Sequence, residues 1–179
     1  MTDDPHEPLR RQRFEALALP HLDAAYNLAR WLARNDHDAA DVVQDAFLRA
    51  YDAFGSLRGD NARPWLLAIV RNTCFSWLER NRPGASHVVF DDALHGGTDP
   101  DADPERVALR AEDRARIDRA LAGLPIAFRE VIVLRELEDL SYREIAQVLD
   151  VPIGTVMSRL ARARRLMAES LADDDATGA

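Results

Sequence analysis

Lysine is missing from the 179-residue chain, so all 23 of its basic side chains are arginine, a trait of composition that carries no functional reading. A single cysteine, Cys74, excludes an internal disulfide and any cysteine-rich zinc site; its expected place is a small position in a core. No uninterrupted apolar run approaches the length of a membrane span. The start, MTDDPHEPLRRQRF, lacks the apolar stretch of a secretory signal, which predicts a soluble, cytoplasmic protein with no membrane insertion. Metal-ligand spacing, a nucleophile elbow and a phosphate-cradling glycine loop are all absent. His6, His21, His37, His87 and His95 are scattered and read as surface residues. Neither a cofactor, nor a metal, nor a catalytic group is expected. Apart from an acidic stretch there is no repeat or low-complexity segment.

What is present is helical periodicity throughout, punctuated by glycine, proline and asparagine. The most informative stretch is Ser141 to Met167, SYREIAQVLDVPIGTVMSRLARARRLM. Ser141 and Glu144 have the spacing of a capping box, which starts a helix at Ser141. Ile145, Val148 and Leu149 follow at helical spacing, the pattern breaks at Asp150-Val151, and Pro152 suits the first turn of a second helix. There Val156, Leu160, Ala163 and Met167 line one buried face. Thr155, Ser158, Arg159, Arg162 and Arg165 occupy the other. Two short helices, a tight turn, and a second helix with hydroxyls near its start and arginines beyond describe a helix-turn-helix that enters a DNA major groove. The same pattern fits an amphipathic hairpin with a solvated arginine face.

The net charge of −8 argues against nucleic-acid binding unless it is unevenly spread, and it is. Residues 83–105 hold six acids and no arginine, and Asp173, Asp174 and Asp175 follow near the end. Arg58 to Arg82 carries five arginines against Asp60 and Glu79.

Taken in order, residues 14–35 predict a helix or helix pair divided at Pro20, followed by a polar turn over Asn35–Asp38. Next, Val43, Phe47, Ala50 and Phe54 make a buried stripe that leaves Asp41, Gln44, Asp45, Leu48 and Arg49 outside, and Gly55 stops the helix. After a turn-rich loop, Pro64 starts a helix in which Trp65, Ile69, Thr73 and Trp77 pack inward and Arg71, Asn72, Ser76 and Arg80 face solvent. Aromatic rings beside arginines and a polar loop suit unpaired bases and single-strand phosphates, and they suit ordinary helix packing as well. A second unit opens near Asp103 or Pro104 with Val107, Leu109, Ile117, Ala120 and Leu121, breaks at Gly123-Leu-Pro125, and continues through Phe128, Val131, Ile132 and Leu134.

The order DVVQDAFLRAY, LRGD loop, W-L-x-x-I-x-R-N helix, acidic linker and C-terminal helix-turn-helix resembles the small two-domain bacterial sigma factors of the extracytoplasmic function group. The resemblance spans roughly Phe14 to Leu171. It implies an all-α protein: an N-terminal domain over residues 1–82, a flexible acidic linker over 83–105, a helix-turn-helix domain over 106–171 and a disordered acidic tail over 172–179. It implies core RNA polymerase and promoter DNA as partners and an anti-sigma factor as a regulator. By matched position, Asp41, Gln44, Asp45 and Leu48 would dock on the polymerase. Arg58, Gly59, Asp60 and Asn61 of the loop, with Trp65, Arg71, Asn72 and Ser76 of the next helix, would read and open the minus-ten element. Thr155, Ser158, Arg159, Arg162 and Arg165 would read the minus-thirty-five element. Many members carry aspartate where this chain has Ser76. The rival reading is a free-standing helix-turn-helix repressor or activator that binds duplex DNA alone as a dimer.

Overall fold

The computed structural model describes residues 7–81 and 104–177, with side chains placed from 111 to 174 in the second segment. Among the described residues every regular element is helical and none is a strand. The expected linker over 83–105 lies outside them except at its last two residues, which are already helical.

The N-terminal unit comprises α1 (Glu7–Ala18), α2 (Leu22–Ala33), α3 (Asp36–Asp52) and α4 (Ala62–Asn81). Pro20 sits in a 3-10 turn, Leu19–His21, between α1 and α2, where its fixed φ and missing N–H are tolerated. α1 begins seven residues before Phe14, earlier than the apolar pattern suggests, because its first turns are polar and exposed. The expected polar turn at Asn35–Asp38 is shorter. Arg34 closes α2 in the left-handed region at φ 59°, and Asn35 at once caps α3, its side chain accepting from the Asp38 N–H at 3.0 Å. Leu28 and Leu32 of α2, Val42 and Ala46 of α3, and Leu66, Leu67 and Val70 of α4 fill the core. Burying each large side chain contributes about 1.5–3 kcal/mol.

Two sequence expectations are corrected in this unit. α4 buries Leu66, Leu67, Val70, Thr73 and Cys74, whereas Trp65, Ile69 and Trp77 are only half-buried. The bulky rings drew the predicted stripe onto them, but the smaller aliphatics fit between α2 and α3. Arg71 is not solvent-facing either; it is turned toward the second unit. Cys74 is fully buried, as expected, and burial pushes its thiol up to about 12.

The C-terminal unit comprises α5 (Pro104–Gly123), α6 (Ile126–Ile132), α7 (Tyr142–Leu149) and α8 (Ile153–Thr177), with a π-helical turn at Val133–Leu137 after α6. Val131, Leu134, Leu140, Ile145, Val156 and Leu160 form its centre. Ile117, expected in this core, is 49% exposed, because α5 turns its buried side to Ala120 and Leu121 only near its end. α8 runs through Thr177 into the segment expected as a disordered tail. Alanines favour the helix there, the Leu171 carbonyl accepts from Arg116, and Arg119 lies 3.6 Å from Asp174.

The two units pack directly: α6 lies against α2 and α7 against α4, and their apolar clusters join across the boundary.

Candidate nucleic-acid interface

The helix-turn-helix is built as the sequence implies. Ser141 Oγ accepts from the Glu144 N–H at 3.2 Å, and Glu144 Oε2 accepts from the Ser141 N–H at 2.9 Å, completing the capping box that starts α7. These bonds hold the Glu144 carboxyl below its usual range, the Ser141 backbone N–H being the largest cause. Asp150, at φ 52°, takes the left-handed turn that an aspartate tolerates, and Pro152 leads into α8. Val156, Leu160 and Ala163 are buried, which turns Ser158, Arg162 and Arg165 onto the opposite face and leaves Thr155 and Arg159 on its flank. Ser158, Arg162 and Arg165 are exposed; Thr155 and Arg159 are half-buried. The Arg162 guanidinium lies 5.6 Å from the centre of the Phe128 ring, which steadies it without using its hydrogen-bond donors.

In the N-terminal unit the loop from Leu57 to Asn61 turns at Gly59, whose φ of 74° disfavours any side chain. Arg58, Gly59, Asp60 and Asn61 are all exposed. The loop is tied to α4 by the Trp65 indole N–H, which donates to Ser56 Oγ at 3.1 Å while its ring packs 6.4 Å from that of Phe54. With ~3.6 residues per turn, Trp65, Asn72 and Ser76 share one face of α4. Arg71 lies about a third of a turn away and does not join them.

On α3, Asp41, Gln44 and Leu48 are exposed and Asp45 is half-buried, its carboxylate accepting from Arg49 Nε at 3.0 Å. Leu48 is a large apolar side chain 64% in solvent. It borders a groove of about 890 Å³ between α1, α2 and α3, whose walls include Phe14, Tyr26, Val43, Gln44 and Phe47.

Charged residues buried between the units are not evident from helical periodicity. Arg129 is 5% exposed and donates to the carbonyl oxygens of Leu121, Ala122 and Leu124 at 3.2, 2.8 and 2.8 Å. Desolvation, with a smaller contribution from Arg34, brings its guanidinium down to about 10. Glu130 is 1% exposed, accepting from Arg71 Nε and Nη2 at 2.7 and 3.2 Å, with Arg159 Nη1 at 3.6 Å. Glu138 accepts from Asn27 Nδ2 at 2.6 Å and Arg63 Nη2 at 3.0 Å, and Glu144 from Asn61 Nδ2 at 3.2 Å. The available signal was Arg129-Glu130 set inside the apolar run IAFREVIVL, since charges there must find partners.

Comparison with known proteins agrees with this layout. The Sigma-70 region 2 family pattern matches residues 17–83, and the Sigma-70 region 4 pattern matches residues 114–167. The chain is 37% identical over 169 residues to the RNA polymerase sigma-H factor of Pseudomonas aeruginosa, covering 90% of this chain and 87% of that one. The chain belongs to the sigma-70 family. Within it, the chain is 42% identical over 134 residues to the ECF RNA polymerase sigma-E factor of Escherichia coli K12, covering 71% of this chain and 70% of that one. Among solved structures, the sigma factor RpoE of Bartonella quintana, in complex with the anti-sigma factor NepR, superposes with a TM-score of 0.71 at 27% identity, over 89% of this chain and 96% of that one. CnrH in complex with the cytosolic domain of CnrY gives 0.65 at 28% identity, over 96% and 99%. The protein is thus an alternative sigma factor of the extracytoplasmic function type, which binds core RNA polymerase, recognises minus-thirty-five and minus-ten elements and promotes DNA opening. Among the described residues no helix is long and apolar enough to cross a membrane.

Proposed function

We propose that this sigma factor divides its work among three faces. The outer face of α3, with Asp41, Gln44, Asp45 and Leu48, docks on core RNA polymerase. The loop residues Arg58, Gly59, Asp60 and Asn61, with Trp65, Asn72, Ser76 and, once released from Glu130, Arg71, take up the opened minus-ten strand. The α8 face of Thr155, Ser158, Arg159, Arg162 and Arg165 reads the minus-thirty-five duplex. The domains behind these faces are residues 1–82 and 106–171, joined by the acidic segment 83–105.

The observation that carries this reading is α8 itself. A capped first helix and a tight turn present hydroxyls and arginines on one face, opposite the buried Val156, Leu160 and Ala163. Arginine forks suit both guanine edges and phosphates. The factor performs no covalent step and works in the cytoplasm. Strand opening draws on binding energy: capturing an unpaired base offsets the few kcal/mol lost on unstacking it. Arginines add salt-dependent attraction to phosphate. Both solved relatives are held by partner proteins, which supports an anti-sigma factor as this chain's regulator as well.

The test is initiation by core polymerase from a dependent promoter. Arg159→Ala and Arg162→Ala should weaken dependence on the minus-thirty-five element, and Trp65→Ala and Asn72→Ala should impair opening. Unchanged initiation from all four variants would refute these assignments.

A further inference from the structure

α1 takes no part in the proposed function, yet two of its arginines stand beside the minus-ten loop. At about 100° per residue, Arg10 and Arg13 lie on one side of the helix. Arg11 points elsewhere, its Nε donating to Glu15 Oε1 at 2.8 Å. Arg10 is anchored: its Nη2 donates to the carbonyl oxygen of Tyr51 at 2.7 Å, and its guanidinium lies 4.8 Å from the centre of the Tyr51 ring. Arg13 is exposed, with its guanidinium 5.9 Å from the centre of the Phe54 ring and 3.7 Å from the carboxylate of Asp60 in the loop. Leu9, Arg10 and Arg13 of α1, with Phe54, Gly55 and Leu57 leading into the loop, line a cavity of about 410 Å³. Phe54 is buried in its wall, met edge-on by Phe14 at 5.3 Å and lying 6.4 Å from Trp65. Trp65 and Arg13 thus both pack on Phe54, which links the minus-ten face of α4 to α1.

We propose that Arg10 and Arg13 of α1 clamp the sugar-phosphate backbone of the opened minus-ten strand beside the loop. The clamp rests on the assignment of the loop and Trp65 to that strand. Its chemistry is that of backbone positioning: arginine forks match phosphate oxygens, and such contacts fix register without reading sequence. Each guanidinium lies near an aromatic ring, which steadies the arginine without using its N–H donors. The Arg13–Asp60 pair is exposed on both sides, so it is weak in water and yields to a phosphate. A base taken up by the loop keeps its place only while the backbone next to it is held, and α1 supplies that hold from the side opposite α4.

The experiment measures holoenzyme binding to fluorescent fork DNA, an upstream duplex followed by a single-stranded minus-ten segment, over a range of salt concentrations. Two forks are used, one with the minus-ten sequence of a dependent promoter and one with that sequence altered. For Arg13→Gln the expected result is a salt slope lower by about 0.7 and binding roughly 5-fold weaker, by the same factor on both forks. Arg13→Lys, which keeps the charge, should restore the slope, and Arg11→Gln should match wild type. On the upstream duplex alone, ending before the minus-ten element, every variant should bind as wild type does. Weaker binding with an unchanged slope would mean that Arg13 only steadies Asp60, and would overturn the clamp. A loss confined to one of the two forks, or an equal loss on the upstream duplex, would overturn it as well. Trp65→Ala on the same forks separates the clamp from the reading beneath it. If Trp65→Ala weakens binding and Arg13→Gln does not, the clamp alone fails; if neither does, the minus-ten assignment fails with it.

Discussion

Arg129 reaches from α6 of the C-terminal unit to the carbonyl oxygen of Trp31 at the end of α2, 3.2 Å from Nη1, while its other nitrogens close the end of α5. One buried guanidinium thus serves as the cap of one helix and a bridge to another domain. Arg129→Met should leave several buried carbonyls without a donor and cost about 2–4 kcal/mol, read as a lower urea midpoint.

The capping box gives a smaller and pH-dependent effect. Ser141→Ala should cost about 1 kcal/mol of stability. The Glu144 carboxyl is held below its ordinary value of about 4.5 by its hydrogen bonds from Ser141, so its contribution is full above that pH and is lost as pH falls through the folded value. Thermal midpoints of wild type and Glu144→Gln should therefore differ at neutral pH and converge on acidification below about 4.5; a constant gap would contradict the linkage.

Leu48 is exposed on α3 beside the groove, with no core to support. Leu48→Asp should change stability by less than about 0.5 kcal/mol yet weaken binding to core polymerase at least ~10-fold, as measured by fluorescence anisotropy.

Arg162 is exposed on α8, over Phe128. Arg162→Ala should leave the fold intact. If the guanidinium meets a phosphate, the salt slope of holoenzyme binding to promoter should fall by about 1; if it meets a base edge, discrimination at one position should relax by about 1–3 kcal/mol.

The helix-turn-helix was the most legible part of the chain because its signals are local. Ser141 and Glu144 stand three apart, Val156, Leu160 and Ala163 share a face, and a proline marks the junction. The outer face of α3 was legible for the same reason. The buried face of α4 lies part of a turn from the expected stripe: Thr73 is buried, Trp65, Ile69 and Trp77 pack half-buried against the core, and Leu66, Leu67 and Val70 fill the gap between α2 and α3, which the bulk of the tryptophans hides in the sequence pattern. The contacts of Arg71 with Glu130 and Arg63 with Glu138 span domain positions far apart in sequence, and no periodicity carries such pairing. Their trace is two charges inside an apolar run.

The factor directs core polymerase to promoters through two separated elements. Run-off transcription with purified core RNA polymerase and a genomic fragment library, with and without the protein, tests it directly. New start sites preceded by two sequence elements at constant spacing should appear only when both proteins are present. Folded protein that yields no new start sites yet binds duplex DNA tightly alone, as a dimer, would contradict it and favour a free-standing regulator.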